Sequence, residues 1–383
     1  MKVIVRAPLL SISGYGQHSR QVYAAANRLP NAQVSTQVVQ WGNTSWYINP
    51  DAEDGIIGEI MSRSTDVNEG YDISFQVQLP DEWSPTLAKF NIGVTAAVET
   101  DKCNPLWVDA CNKMNAVIVP SHFTKKVLMD TGTVTVPIHV VGEWYIDEIN
   151  QIKDHLDVDF RTPFNFLIVS QMSSADSAID RKNITNTIKW ICETFKDDPG
   201  VGIVLKTNSG RGTDIDRHVT VASINTILVP MRQKSKVPVY LLHGNMTNKE
   251  IASLYRHPKI KSLVSLTRGE GFGLPILEAS ASELPVIATD WSAHTEFMNL
   301  GKWIKVESIK TTIPDARIDN RIFMPGVQWA DPNEQDFKKK IKKFRDSHVV
   351  PKGWATELAS TCRKRYSKES ILEDYRKLFD EIL

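Results

Sequence analysis

An α/β protein with two doubly wound parallel sheets is what the sequence predicts, and three observations predict it. The chain has 383 residues, too many for one compact core and comfortable for two. Short apolar runs alternate with amphipathic stretches from end to end, the strand–helix–strand rhythm of a parallel sheet covered by helices. That rhythm pauses once, over the polar and acidic stretch 147–163, and then restarts.

The elements follow in order. Residues 2–6 form a first strand, a glycine turn at 14–16 breaks it, and a helix over 17–28 ends before Pro30. Strands follow at 91–98, 116–119 and 138–141. Ser121 is placed to cap a helix over 122–130. After the pause, strands are expected at 164–169, 201–205, 239–242, 262–265 and 286–288, and helices at 182–195, 248–256 and 274–282. Pro238 precedes its strand, where a missing N–H is tolerated. Residues 30–90 read only loosely, and 311–331 has no periodicity that assigns an element. A basic helix over 337–345 and an amphipathic one over 368–383 close the chain. The expected division is 1–157, 158–365 and a final helix 366–383 returning to the first domain.

Composition narrows the partners. Lys plus Arg and Asp plus Glu both number 45, so net charge gives no global pull toward nucleic acid or an anionic membrane. Hydrophobic residues at 42% and charged residues at 23% are those of an ordinary globular protein. No stretch approaches the roughly 20 apolar residues that span a bilayer. The start of the chain does not read as a secretion signal, and the 4 cysteines are scattered, so reduced thiols and a cytoplasmic protein are expected. Cys103 and Cys111 do not have a zinc-ligand spacing. Two acidic triplets, Asp157–Asp159 and Asp214–Asp216, stand apart from other ligands, and no metal is expected.

One motif carries chemistry. Residues 269–279 read GEGFGLPILEA between an expected strand and an expected helix. Glycines on a strand-to-helix turn free several backbone N–H groups, which with the helix N-terminus suit an anion. Two carboxylates flank the turn, Glu270 and Glu278. They do not suit a phosphate. They suit hydroxyl donors, and a nucleotide sugar offers these at ribose and hexose.

The stretch Glu270, Gly271, Phe272, Gly273, Leu274, Pro275, Glu278 resembles the signature of retaining GT-B glycosyltransferases of the group 1 (family 4-like) type. The segments NAVIVPSHFTKKVL, IHVVG, DRKN, GIVLKT, HGNMTNKEIASL and ATDWSAHTEF are similar to the family in order and spacing. The resemblance implies two Rossmann-like domains facing across a cleft, the first for the acceptor and the second for the donor. It implies that Glu270 faces the transferred sugar, that Glu278 holds the ribose, and that the backbone of Gly271, Phe272, Gly273 and Leu274 supports sugar and diphosphate. Arg181, His243, Gly244, Arg268 and the Gly14 and Gly16 loop join the donor site. No cofactor is implied beyond the donor, a nucleoside diphosphate sugar and by expectation a UDP-sugar. A softer likeness links SGYGQHSRQ, LTRGEGFGLP and TDWSAHTEF to glycosyltransferases of tailed bacteriophages.

Two departures from the family shift the expected roles. The arginine that follows the first strand of the donor domain is replaced by Gln171 or Met172, so Lys206 and Lys182, with Arg268, carry the diphosphate charge. The histidine near the reacting sugar is missing, and Glu99, Asp101 or His18 is the candidate to stand in. The acceptor is left open between a polysaccharide or protein hydroxyl and a hydroxymethylated base in viral DNA. For duplex DNA the local basic surface is Lys338, Lys339, Lys340, Lys342, Lys343 and Arg345, joined by Lys125 and Lys126. A nucleotide-sugar epimerase on the same fold is the more distant alternative.

Overall fold

The computed structural model of the protein describes residues 1–383 apart from Val98, Met172, Ser173, Ala175 and Gln233. The chain divides into two compact units. The first comprises Met1–Trp144, Asp319–Val327 and Tyr366–Leu383, and the second Tyr145–Ile318 and Gln328–Arg365. The leading segment of the first unit thus ends at Trp144, rather than at the expected 157.

Six strands build the first sheet: β1 (Lys2–Ala7), β2 (Gln33–Val38), β3 (Tyr71–Val77), β4 (Ala88–Val94), β5 (Ala116–Val119) and β6 (Ile138–Val140). All pair in parallel, in the order β2-β1-β3-β4-β5-β6. The strand order reverses at β1, so the crevice lies at the carboxyl ends of β1 and β3. The expected strand over 91–98 ends earlier, at Val94, and Val98 lies outside the described residues. β2 and β3 fall in the loosely read region. Their pattern is hidden because polar side chains are buried and satisfied there. Ser74 Oγ donates to Asn91 Oδ1 at 2.8 Å, and Gln76 Nε2 donates to the Ser84 carbonyl at 2.7 Å.

The first helix spans Gly14–Ala26 and starts three residues before the expected Gln17. Ser13 is extended and its Oγ accepts the Gly16 N–H at 3.1 Å, which caps the helix ahead of the glycines. Gly16 has no alternative, because a Cβ there would lie 1.9 Å from the Ser11 carbonyl oxygen. The last helix, Lys368–Ile382, buries Ile371, Leu372, Tyr375, Leu378 and Phe379 in the same core as Val3, Val22 and Phe75. Each such side chain contributes roughly 1.5–3 kcal/mol of transfer free energy. The segment Asp319–Val327 is held by Arg321, which bonds Asp81 and Glu82 at 2.7 Å each.

The second sheet uses β7 (Phe164–Val169), β8 (Val201–Thr207), β9 (Val239–His243), β10 (Ile260–Ser265), β11 (Val286–Thr289) and β12 (Ile304–Val306). They are parallel, in the order β12-β11-β10-β7-β8-β9. The chain winds outward from β7 to β9, then returns to the other side of β7. The reversal puts the crevice at the carboxyl ends of β7 and β10. Stretch 311–331, unassigned from sequence, falls largely on an antiparallel pair, β13 (Ser308–Thr312) and β14 (Gln328–Pro332), and the residues joining it. β13 is mostly exposed, so it has no apolar run to betray it.

The basic helix spans Glu334–Asp346 and buries Phe337, Ile341 and Phe344 at i, i+4 and i+7. Lys338 bonds Glu193 and Glu334, Lys340 bonds Asp336 at 2.6 Å, and Arg345 bonds Asp198 at 3.0 Å. Among the described residues no helix is long and apolar enough to cross a membrane.

Candidate active site

The carboxyl edge of the second sheet gathers most of the candidates. β8 ends on Lys206 and Thr207. Lys206 is buried, and its Nζ donates to the Gly244 carbonyl at 2.6 Å. Gly244 presents that oxygen from φ 104, a left-handed conformation suited to glycine. No carboxylate pairs with Lys206 among the described residues, and burial brings its pKa down to about 8. Around it, Ser170 Oγ, Thr207 Oγ1 and His243 Nε2 are buried and have no hydrogen-bond partner among the described residues. They follow or end β7, β8 and β9. A folded chain rarely leaves such atoms unpaired, and a polar ligand at this edge would satisfy them. Burial and the neighbouring Lys206 charge both lower the His243 imidazole pKa.

The motif turn follows β10. Lys182 Nζ donates to both oxygens of the Glu270 carboxylate, at 2.6 and 2.8 Å. Arg181 Nη1 donates to the Gly269 carbonyl at 2.6 Å and stands 3.8 Å from Glu270. Burial alone would raise the Glu270 carboxyl, but the Lys182 and Arg181 charges overcome it and hold the group down to about 2. Gly273 takes φ 103, and a Cβ there would press on His294 at 3.1 Å. The helix Leu274–Ala281 then carries Glu278, which is buried and accepts the Tyr255 hydroxyl at 3.1 Å. Burial, together with that carboxylate, raises the Tyr255 phenol well above its ordinary range. Asp180 prepares the DRKN turn: its Oδ2 accepts the Ile184 N–H at 2.7 Å and starts the helix Ile184–Thr194.

Arg268, expected to share the diphosphate charge, is bonded to protein groups. Its Nη1 donates to the carbonyls of Ser177 and Asp180 at 2.7 and 2.8 Å, its Nε donates to Asp331 at 2.8 Å, and its guanidinium lies 5.0 Å over the Trp329 ring. These contacts tie the turn after β7 to β14. Met172 lies outside the described residues, and Gln171 is exposed.

The first unit holds the remaining candidates. Gly14 and Gly16 open the first helix. His18 is buried and has its pKa pulled down to about 4 by that burial. Its Nδ1 lies 4.0 Å from Glu143, and its Nε2 has no hydrogen-bond partner among the described residues. Glu99 is half-buried in the bend after β4, and Asp101 is likewise half-buried just beyond it. Tyr15, which the sequence did not single out, bonds Thr95 Oγ1 and the Ala96 N–H at 3.1 Å each and stacks on Trp41 at 4.0 Å. Lys125 donates to the Ile138 carbonyl and Lys126 pairs with Asp130.

The acidic triplets have structural partners. Asp159 pairs with Lys259 at 2.6 Å, and Asp216 accepts the N–H groups of Arg211 and Thr213 ahead of the helix Asp214–Arg232. Among the described residues no group of three or more His, Cys, Asp or Glu side chains could hold a metal ion.

Two parallel doubly wound sheets in one chain, the second with its glycine turn at the topological reversal, constitute the GT-B fold. Residues 239–347, which run from β9 to the basic helix and include Glu270 and Glu278, match the family model described as glycosyl transferases group 1. Among solved structures, a glycosyltransferase from Rickettsia africae ESF-5 is similar at 14% identity and TM-score 0.66, covering 100% of this chain and 98% of its own. Anabaena HepE in complex with UDP-glucose is similar at 11% identity and TM-score 0.61, over 100% of both chains. The sucrose-phosphate synthase of Thermosynechococcus elongatus matches at 12% identity and TM-score 0.61, over 100% of this chain and 99% of its own. A comparison with curated proteins gives no significant match.

Proposed function

We propose that the protein transfers a sugar from a nucleoside diphosphate sugar, with a UDP-sugar as donor, to an acceptor hydroxyl, and that it retains the anomeric configuration. The observation that carries this reading is Lys206, a buried ammonium whose one hydrogen bond among the described residues is to a neutral carbonyl, beside three polar atoms on neighbouring strand ends that have no partner among those residues. Glu250 attracts it without forming an ion pair among the described residues, and an arriving diphosphate relieves the cost of the desolvated charge. HepE, of the same fold, is solved with UDP-glucose, which supports the donor class.

By this reading the C1–O bond to the diphosphate breaks, a C1–O bond to the acceptor forms, and the acceptor proton passes to the departing phosphate. The leaving group gains negative charge, so a preorganised cation is the largest catalytic contribution, worth about 3 kcal/mol per donor. Lys206 takes that role. Lys182 is engaged by Glu270 and Arg268 by carbonyls and Asp331, so the charge falls chiefly on one lysine. Glu278, oriented by Tyr255, accepts the ribose hydroxyls. Glu270 faces the transferred sugar, and the N–H groups of Gly271, Phe272, Gly273 and Leu274 line sugar and diphosphate. The first unit, with His18 and Glu99, binds the acceptor. A saccharide or protein hydroxyl is the acceptor proposed. Duplex DNA is disfavoured because Lys338, Lys340 and Arg345 are already ion-paired, as is Lys126.

A donor screen tests the whole reading: nucleoside diphosphate release is followed with and without acceptors, and the product is analysed by mass and by NMR of its anomeric carbon. Release from no donor overturns the transferase, and an inverted product overturns retention. Activity is expected to survive EDTA.

A further inference from the structure

We infer that Ser292 and His294 are positioning residues that set the peptide of Glu270 through a relay of three hydrogen bonds, a role that rests on the proposed transferase reading for its catalytic meaning. The relay begins at the end of β11. His294 Nε2 lies 2.7 Å from the Thr289 carbonyl. A carbonyl only accepts, so Nε2 carries the ring proton and Nδ1 of the neutral ring is left as an acceptor. The ring is wholly buried, and burial lowers its pKa, in keeping with that neutral form.

Ser292 Oγ stands 3.4 Å from Nδ1. With Nδ1 an acceptor, the hydroxyl hydrogen turns to the imidazole, and the serine oxygen lone pairs face the other way. There the Glu270 N–H donates to Oγ at 2.9 Å. The next residue closes the clamp from the other side, since the Ala293 N–H donates to the Glu270 carbonyl at 3.3 Å. The two peptide groups that flank Glu270 are thus held by residues 292–293, one by its N–H and the other by its carbonyl, while Lys182 holds the carboxylate. His294 also packs beneath Gly273, where a Cβ would touch it at 3.1 Å. One histidine therefore supports the turn at Glu270, through Ser292, and at Gly273, by packing.

The backbone of Ser292 strengthens the inference. It takes φ 81, a left-handed conformation where glycine is the unstrained choice. A serine held there keeps its strain and supplies a hydroxyl, and the hydroxyl is the atom that meets Glu270. Glycine at this position would relax the backbone and delete the relay, which separates the two contributions in one substitution.

The experiment compares Ser292→Gly, Ser292→Ala and His294→Phe with the unaltered full chain. For Ser292→Gly the melting temperature is expected to stay or rise, and the affinity for free UDP, measured by calorimetry, to stay within about twofold. Turnover with saturating donor is expected to fall by about tenfold to 100-fold, the scale of a reacting group displaced by a fraction of an ångström to one ångström. Unchanged turnover in Ser292→Gly overturns the role. So does a loss of turnover that comes with equal losses of UDP affinity and melting temperature, which is what general damage would give. Nitrogen NMR of His294 and hydrogen exchange of the Glu270 amide decide the relay independently of activity. The proton is expected on Nε2, and the amide is expected to exchange at least about tenfold faster in Ser292→Gly, the scale of one lost hydrogen bond. A proton on Nδ1, or unchanged exchange, overturns the relay even if the enzyme is active. If no donor is turned over by the unaltered chain, the transferase reading fails while the exchange result still stands.

Discussion

Around the start of the helix Gly14–Ala26, the first unit gathers hydroxyls, stacked rings and a neutral imidazole: Ser11, Ser13, Tyr15, Trp41, Thr95 and His18. At the carboxyl edge of the second sheet the same kind of crevice is charged, with Lys182, Lys206, Arg181, Glu270 and Glu278. Both edges come from doubly wound parallel sheets, so topology places a crevice in each. What differs is the cost of the side chains set there. The second unit keeps a buried ammonium and a carboxylate held down to about 2, both of which need a partner. The first also buries a carboxylate, Glu143, 4.0 Å from the His18 imidazole. On the proposed reading, stabilisation of the leaving diphosphate falls to the second unit and acceptor contacts to the first.

The largest effect that sharpens this contrast belongs to Lys206. Lys206→Ala is expected to lower turnover by about 100-fold to 1,000-fold, with a smaller rise in the apparent donor constant. A variant near normal turnover would move the role to Lys182. The pH profile checks the same charge: the ammonium is needed, its pKa is about 8 in the free protein, so kcat/KM falls as pH rises through about 8.

Next comes His18, where the first unit should respond to acid in stability. Its pKa lies near 4 against an ordinary 6.5, so the folded state binds fewer protons than the unfolded one in that window. Stability is full above about 6.5 and falls as pH drops toward 4, by roughly 3 kcal/mol at most for such a shift. Urea unfolding of the protein and of His18→Gln across pH 4–7 measures it, and equal slopes would remove the assignment. Glu278→Ala ranks third. It should weaken UDP binding by roughly 1.5–3 kcal/mol for each charge-assisted bond lost, with melting temperature as the control for folding. The smallest effect is expected on the basic helix. Changing Lys338, Lys339, Lys342 and Lys343 to Ala should leave turnover unchanged. Stability should move by about 0.5 kcal/mol or less at each of the exposed Lys339, Lys342 and Lys343, and by up to about 1 kcal/mol at Lys338, which loses its ion pairs with Glu193 and Glu334. Steeply salt-dependent duplex binding that these changes abolish would instead restore the DNA acceptor.

The two edges were also unequally legible. The charged one announces itself in sequence, because glycines, a proline and two glutamates must sit at fixed offsets on a strand-to-helix turn. The strands around it are apolar runs. The first unit hides β2 and β3 behind buried polar residues such as Ser74 and Gln76, whose partners Asn91 and Ser84 lie outside their own strand. Arg268 is expected to share the diphosphate charge because the family arginine is missing near Gln171, but its bonds to the carbonyls of Ser177 and Asp180 and to Asp331 join segments far apart in the chain, which residue type alone does not show. Ser292 and His294 stand in a segment that resembles the family, and Tyr255 directly follows another, yet the bonds of Tyr255 to Glu278 and of Ser292 to Glu270 exist only once the chain has folded around β10. The left-handed φ of Ser292 leaves no trace in residue type, since serine is not the residue that conformation favours.

The interleaving of the two units also bears on how the chain is made. The second unit has all its residues once Arg365 has been synthesised, whereas the core of the first still lacks Ile371, Leu372, Tyr375, Leu378 and Phe379. Domains that fold during synthesis usually do so in order from the amino terminus, as residues are added at about 5–20 per second. Here the order is inverted at the end: the half translated last can finish first, and the half translated first waits with an open apolar face for the closing helix. Ribosome-bound chains stalled with residue 365 just exposed should therefore resist protease in the second unit and be cut in the first.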